Sequence, residues 1–400
     1  MNPNDDNFDL VDIAEEIHIK KVFTNSEKSI ISVIQDQKVN FFDTSNYKEF
    51  ADNLGDSFND INICLPLYRS QICLLVGNQG NTVFPYDQVV IYDFSTSKQI
   101  ASIKLRFDDD TDRVHKLYAN CKALFVVLKH KIMLFNILTL SYITTFEDVN
   151  GEDNLVSFGA TRETHLTPHI TVAYVSNLNP KIIKINKVNF DKKTSENSSI
   201  LYSQHILNTD FDSIQFLSVS SKCKFLAVVC ESGEKINIYS LRSYKARKYL
   251  WRGYTRVIIS DVIFDNEDKF LCLLSSKKTF HIYPLLRKYL NPKAKDPNQI
   301  SNDNEDDDQD YYNYGRRKPN KIKKMFKSIR KEIGRKYKDS FAKYKDEKVL
   351  TSSIKFFYFN DKMDLVVYDE NGRVLIIKFN KKKGGMCWLH QTKYLEITEF

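Results

Sequence analysis

Short apolar runs ending in a bulky side chain recur along the chain: KVNFFD at 38–43, QVVIYD at 88–93, KIMLFN at 131–136, KIIKIN at 181–186, KINIYS at 235–240, TFHIYP at 279–284 and RVLIIK at 373–378. Their length and their β-branched and aromatic content predict strands rather than helices. The fifth residues, Phe42, Tyr92, Phe135, Ile185, Tyr239, Tyr283 and Ile377, stand 50, 43, 50, 54, 44 and 94 positions apart. Upstream of most markers lies a second apolar run that stops at a turn, as in KFLAVVCESGE and KFLCLLSSKK. Hairpin-linked strands repeating every 40–50 residues or so have the period of a β-propeller blade, which cannot bury both faces alone and stacks on its neighbours. Seven markers predict an all-β, seven-bladed propeller that takes in residues 1–400 as one domain. Two β-sandwiches are the competing architecture, but they would not repeat one marker at near-constant spacing.

The sixth interval is long because blade six carries an insertion, 286–338. Its first part, 290–315, is an acidic linker, with six acids between Asp303 and Asp310. Such a stretch repels itself and cannot bury a core. Its second part, 316–338, is basic and amphipathic. Ile322, Met325, Phe326, Ile329 and Ile333 recur at steps of three or four, one face of a helix, while Lys323, Lys324, Lys327 and Arg330 fill the remainder. The wider stretch 316–345 holds 14 basic residues against Glu332 and Asp339, in a chain whose net charge is only +8, so the rest is acidic. A helix of this kind suits an anionic membrane surface, which attracts each nearby cation by about 1 kcal/mol. A solvated helix and a nucleic-acid or calmodulin-binding arm share the charge pattern. The interleaved aromatics favour the membrane, and no nucleic-acid partner is expected. DSFAKYK (339–345) reads as the strand that returns to the blade.

With 42% hydrophobic and 28% charged residues, the composition is that of a soluble globular chain. No apolar run approaches the roughly 20 residues of a membrane span, and the acidic start excludes a signal peptide. The seven cysteines include no CxxC pair and sit mostly in apolar stretches, so buried reduced thiols are expected. The run Asp108-Asp109-Asp110-Thr111-Asp112 lacks the glycine turn and closing glutamate of a calcium loop. No Gly-rich phosphate loop, GxSxG or HExxH is present. The chain is therefore expected to be no enzyme and to need neither cofactor nor metal.

Residues 224–285, KFLAVVCESGEKINIYSLRSYKARKYLWRGYTRVIISDVIFDNEDKFLCLLSSKKTFHIYPL, resemble the PROPPINs, WD-repeat propellers that bind phosphoinositides in autophagy. Their signature, Phe-Arg-Arg-Gly between two strands, is matched here by Leu250-Trp251-Arg252-Gly253. ICLLVGNQG, CKALFVVLKHKIMLFNI and KKKGGMCWL also look like family segments in the expected order. Neighbouring arginines on an extended strand point to opposite sides and can serve two pockets, each offering a planar fork to a phosphate. The resemblance implies one surviving pocket, with Arg252 and Gly253 from the signature and Ser275, Ser276, Thr279 and His281 from the next blade. Arg252 is expected to face solvent. In the other pocket the arginine is Trp251, and the family's Thr and Arg are Glu234 and Asn237, so that pocket is expected to be lost. The insertion stands where these propellers carry a membrane-inserting loop. The implied function is binding of phosphatidylinositol 3-phosphate or the 3,5-bisphosphate on vacuolar, endosomal or pre-autophagosomal membranes. A cytoplasmic, peripheral protein of this kind would dock other autophagy proteins. The half-lost signature keeps open a second possibility, a propeller scaffold without specific lipid recognition.

Overall fold

The computed structural model describes residues 18–35, 38–51, 58, 60–107, 109, 112–160, 169–190, 200–285, 338, 339, 342–381 and 387–395. These residues build seven antiparallel meanders. Sheet one is β1 (Lys21–Thr24), β2 (Ile30–Ile34), β3 (Val39–Asp43) and β4 (Glu49–Ala51); sheet two is β5 (Ile61–Leu67), β6 (Ile72–Gly77), β7 (Gln88–Asp93) and β8 (Lys98–Lys104). Sheet three is β9 (Lys116–Ala119), β10 (Ala123–Val127), β11 (Lys131–Asn136) and β12 (Tyr142–Glu147); sheet four is β13 (Val156–Ala160), β14 (His169–Val175), β15 (Ile182–Phe190) and β16 (Ile200–Asn208). Sheet five has β17 (Ile214–Val219), β18 (Phe225–Cys230), β19 (Lys235–Ser240) and β20 (Ala246–Trp251). Sheet six has β21 (Ile259–Phe264), β22 (Phe270–Ser275) and β23 (Thr279–Pro284). After the insertion come β24 (Lys338–Asp339), which adds to sheet five, and β25 (Ala342–Tyr344), which completes sheet six. Sheet seven is β26 (Ile354–Phe359), β27 (Leu365–Asp369), β28 (Arg373–Phe379) and β29 (Cys387–Tyr394).

Every marker segment lies in the third strand of its own sheet. The second strands explain the upstream runs. IISVI in β2, ALFVV in β10 and FLCLLS in β22 are buried at every position, which requires apolar side chains on both faces. The last strands alternate or face water, as in β8, KQIASIK.

The third strands also carry the turn that follows them. Asp43, Asp93, Asn136 and Ser240, the sixth residues of four markers, accept the backbone N–H two positions on, from Ser45, Ser95, Leu138 and Arg242. This side-chain cap closes the hairpin. Four positions after each cap, Tyr47, Ser97, Leu140 and Tyr244 adopt positive φ. In TFHIYP the same place is held by Pro284, which has no acceptor side chain, and there the chain departs into 286–337. It returns as β25, with Tyr344, Lys343 and Ala342 opposite Phe280, His281 and Ile282. Of the returning strand expected in 339–345, residues 342–344 form β25, while Asp339 stands in β24 opposite Trp251 of sheet five. Lys338 stands in β24, opposite Leu250 in a parallel pair, so a helix could not extend through it.

The chain divides into two compact units. One contains sheets one to three and most of sheet seven; the other, residues 154–345 and 379–388, contains sheets four to six. In the second unit, Ala173, Val175 and Ile185 of sheet four pack with Leu226 and Val228 of sheet five. On the other face of sheet five, Ala227, Val229, Ile236 and Ile238 pack with Leu271, Leu273 and Tyr283 of sheet six. Burial of each large side chain contributes about 1.5–3 kcal/mol. All seven cysteines are free thiols, five of them buried. Asp112 is buried and accepts the N–H groups of Arg113 and Lys129, a structural use of that acid, while Asp108, Asp110 and Thr111 lie outside the described residues. No helix among the described residues is long and apolar enough to cross a membrane.

Candidate functional site

The signature residues come from the end of β20, and their neighbours come from the β22–β23 hairpin of sheet six. Alternation along β23 puts Thr279, His281 and Tyr283 on one face. That face meets sheet five, since the Tyr283 hydroxyl donates to the Trp251 carbonyl at 3.1 Å. The connection 253–258 is held at both ends. Val257 N–H donates to Ser232 O at 3.1 Å, and Ser276 N–H donates to Ile258 O at 2.8 Å.

Arg252 extends the β20 ladder by one bond, its N–H donating to Glu234 O at 2.8 Å. Contrary to expectation its side chain does not stand in solvent: it is only 7% exposed. Nε donates to Gly233 O at 2.7 Å and Nη2 donates to Thr255 O, so one edge of the guanidinium is held by backbone carbonyls. Gly233 supplies its carbonyl from a tight turn with φ of 68°, and a Cβ there would lie 2.4 Å from Val257 O. Only glycine combines that φ with that approach. Burial draws the Arg252 guanidinium below its ordinary value, against the pull of Tyr283, Glu234 and Cys230. The Nη1 side makes no hydrogen bond among the described residues and remains for a ligand.

His281 is 4% exposed, and its Nδ1 is buried without a hydrogen-bond partner. Burial, with the charges of Lys343 and Arg252, pushes its pKa down to about 3. Imidazole is thus neutral beside two cations. The hydroxyls are less committed. Ser275 Oγ donates to Thr279 O at 3.4 Å and Thr279 Oγ1 donates to Lys277 O at 3.3 Å, both long bonds within their own turn. Ser276 is exposed, and Gly253 has open space where a Cβ would stand. Arg252 and His281 are thus brought together across sheets five and six, with Ser275, Ser276 and Thr279 at the tip of the same hairpin.

The other side of β20 looks different. Trp251 is buried, its ring meeting Tyr254 edge-on at 5.0 Å, and Lys235 Nζ stands 5.9 Å above it. Asn237 is fully buried with Nδ2 donating to Tyr239 Oη at 3.4 Å. Aromatic packing fills the place where a second guanidinium would stand. The residues assigned to membrane contact, Ile322, Lys323, Lys324, Met325, Phe326, Lys327, Ile329, Arg330 and Ile333, lie outside the described residues, as does the rest of 286–337. Lys343 was not among the sequence candidates. Its register opposite His281 is set by pairing across the insertion, which the sequence does not display.

No family model matches the chain. Among curated proteins, SVP1-like protein 2 of Pichia angusta is 20% identical over 290 residues, covering 72% of this chain and 75% of its own. SVP1-like protein 2 of Schizosaccharomyces pombe is 22% identical over 269 residues, covering 67% and 68%. Among solved structures, Hsv2 of Kluyveromyces lactis with its complete loop 6CD superimposes with a TM-score of 0.66 at 14% identity, over 95% of this chain and all of that one. KlAtg21 in complex with the coiled coil of AgAtg16 gives 0.64 at 15% identity, over 95% and 100%. The seven meanders are the blades of a seven-bladed β-propeller, with an insertion between the third and fourth strands of blade six. In sequence and in fold the chain resembles the PROPPIN propellers.

Proposed function

We propose that the chain is a non-catalytic adaptor that recognises a 3-phosphorylated inositol lipid, phosphatidylinositol 3-phosphate or the 3,5-bisphosphate, on endosomal, vacuolar or autophagic membranes. The observation that carries this is the buried junction of sheets five and six. A guanidinium with one free edge and an unpartnered imidazole nitrogen meet there with no carboxylate bonded to either. Groups so placed are complementary to an anion. Ser275, Ser276, Thr279 and Gly253 would line the rest of that pocket. The segment 316–338 would supply a second, diffuse attraction to the anionic surface. Linking the two on one chain makes the second contact intramolecular. The Atg21 chain solved with an Atg16 coiled coil supports a partner from the autophagy machinery.

The filled space at Trp251 favours a second reading, a scaffold that works by protein contacts and keeps only general membrane affinity. Vesicle flotation separates the two. Preference for vesicles containing phosphatidylinositol 3-phosphate over phosphatidylserine vesicles of equal charge is expected. Equal flotation on both would leave the scaffold.

A further inference from the structure

The connection that leaves β20 carries large apolar side chains outside the core. Val257 and Ile259 are buried in the packing between sheets five and six, but Ile258 between them is 66% exposed and Tyr254 is 78% exposed. Their backbone is clamped. Gln215 donates from Nε2 to Val257 O at 3.3 Å and accepts Ile259 N–H on Oε1 at 2.7 Å, while Ile258 O takes the Ser276 N–H. Tyr254 rests edge-on against buried Trp251, so the ring standing in place of a second arginine props up this exposed one. A single exposed apolar residue needs no explanation; two on one clamped connection beside an anion pocket do. The charge around them is cationic. Lys235 stands over the Trp251 ring, and the β22–β23 turn adds Lys277 and Lys278. Glu231 is paired with Arg256, which leaves Glu234 as the other acid of the two turns.

We propose that Tyr254 and Ile258 enter the interfacial layer of a phospholipid bilayer while the pocket beside them holds the headgroup. This rests on the anion-binding reading above. A lipid headgroup reaches Arg252 only if its bilayer lies against the mouth of the pocket, and the connection 253–258 forms one side of that mouth. Tyrosine suits the interfacial layer, its ring against the acyl boundary and its hydroxyl among the headgroups. Isoleucine adds apolar area removed from water. The lysines of the two turns meet the anionic surface. Unlike the diffuse attraction assigned to 316–338, this contact is fixed in place before binding, so little freedom is lost in making it. The headgroup is therefore held more tightly in a membrane than free in solution.

Two measurements on the full chain read the two contacts separately. One is flotation on phosphatidylcholine vesicles containing phosphatidylinositol 3-phosphate and no other anionic lipid; the other is calorimetry with water-soluble dibutanoyl phosphatidylinositol 3-phosphate. The double variant Tyr254→Ser, Ile258→Ser should bind the vesicles about tenfold or more weakly, the equivalent of half-burying two large side chains. It should bind the soluble probe as wild type does. Ile258→Ser alone, which leaves Tyr254 on Trp251, should lose about three- to tenfold on vesicles. In Ile258→Trp, phosphatidylcholine brominated high on its acyl chains should quench emission beyond the quenching of the two native tryptophans. Unchanged vesicle binding by the double variant overturns the inference and leaves the headgroup pocket standing. No added quenching in Ile258→Trp also overturns it and assigns the face to a protein partner. Equal loss on vesicles and soluble probe overturns it too, since the two residues would then be shaping the pocket. If wild type binds neither probe nor vesicles, the anion-binding reading falls as well.

Discussion

In blade six, Asp268 and His281 should pull stability in opposite directions as pH falls, and removing either should expose the other. Asp268 is buried, and desolvation pushes its carboxyl up to about 6 despite hydrogen bonds from Ser220 Oγ at 2.9 Å and from Lys222 N–H. Its neighbour Asp265 is also raised by burial. A carboxyl raised in the folded state contributes stability that is present in acid and lost as pH rises through about 6. Measured from an ordinary value of 3.8, the loss at neutral pH is on the order of 3 kcal/mol. His281, pushed down to about 3, has the reverse sign: below 6.5 the unfolded chain takes up a proton that the folded chain refuses, at about 1.4 kcal/mol per pH unit. Between pH 6 and 4 the two nearly cancel.

Asp268→Asn breaks the balance with little other damage, because asparagine keeps an acceptor for Ser220 and tolerates the φ of 56° at this position. Its stability should fall with acid more steeply than that of wild type, the gap changing by about 1.4 kcal/mol per pH unit between pH 6 and 4. His281→Gln should show the opposite gap. The assay is urea unfolding followed by tryptophan fluorescence, for which buried Trp251, one of two tryptophans, reports next to the site. Parallel pH profiles for wild type and both variants would refute the opposed-titration argument.

Arg252→Ala should abolish the preference for 3-phosphorylated lipid in flotation and also lower stability by about 1–3 kcal/mol in urea, because the carbonyls of Gly233 and Thr255 lose their donor. Arg252→Lys should keep the charge yet still lose most of the preference, since an ammonium reproduces neither tether nor fork; full retention would argue against the geometry. Restoring the signature with Trp251→Arg should leave calorimetric stoichiometry at one headgroup per chain, because Glu234 and Asn237 remain, and two headgroups would refute this. Replacing Phe326, Ile329 and Ile333 together by Asp should release the protein from anionic vesicles without changing pocket affinity for the soluble probe, and flotation equal to wild type would remove the membrane role of 316–338.

The strand repeat was legible because burial dictates it. A strand covered on both faces must be apolar at every position, and a third strand that ends in Asp, Asn or Ser announces its own turn. Pro284 in that place marks the insertion chemically, and spacing alone had marked it only by length. The site was legible in register but not in direction. The sequence puts Arg252 at a strand end, where an arginine ordinarily reaches for water. It turns inward because Gly233, at positive φ, presents a carbonyl to Nε while Thr255 presents another to Nη2. Those acceptors belong to backbone, which no side-chain motif records.

Lys343 escaped for a related reason: a strand that pairs across more than fifty intervening residues has no sequence signal for its register. The consequence is physical. An arginine tethered by two carbonyls is already ordered before a ligand arrives, so it loses less freedom on binding than an exposed one would. The hydroxyls of Ser276 and Thr279 must still be ordered. Affinity should therefore respond more to the loss of Arg252 than to the loss of any one hydroxyl, because its fixed edge is the part of the proposed pocket that is already in place.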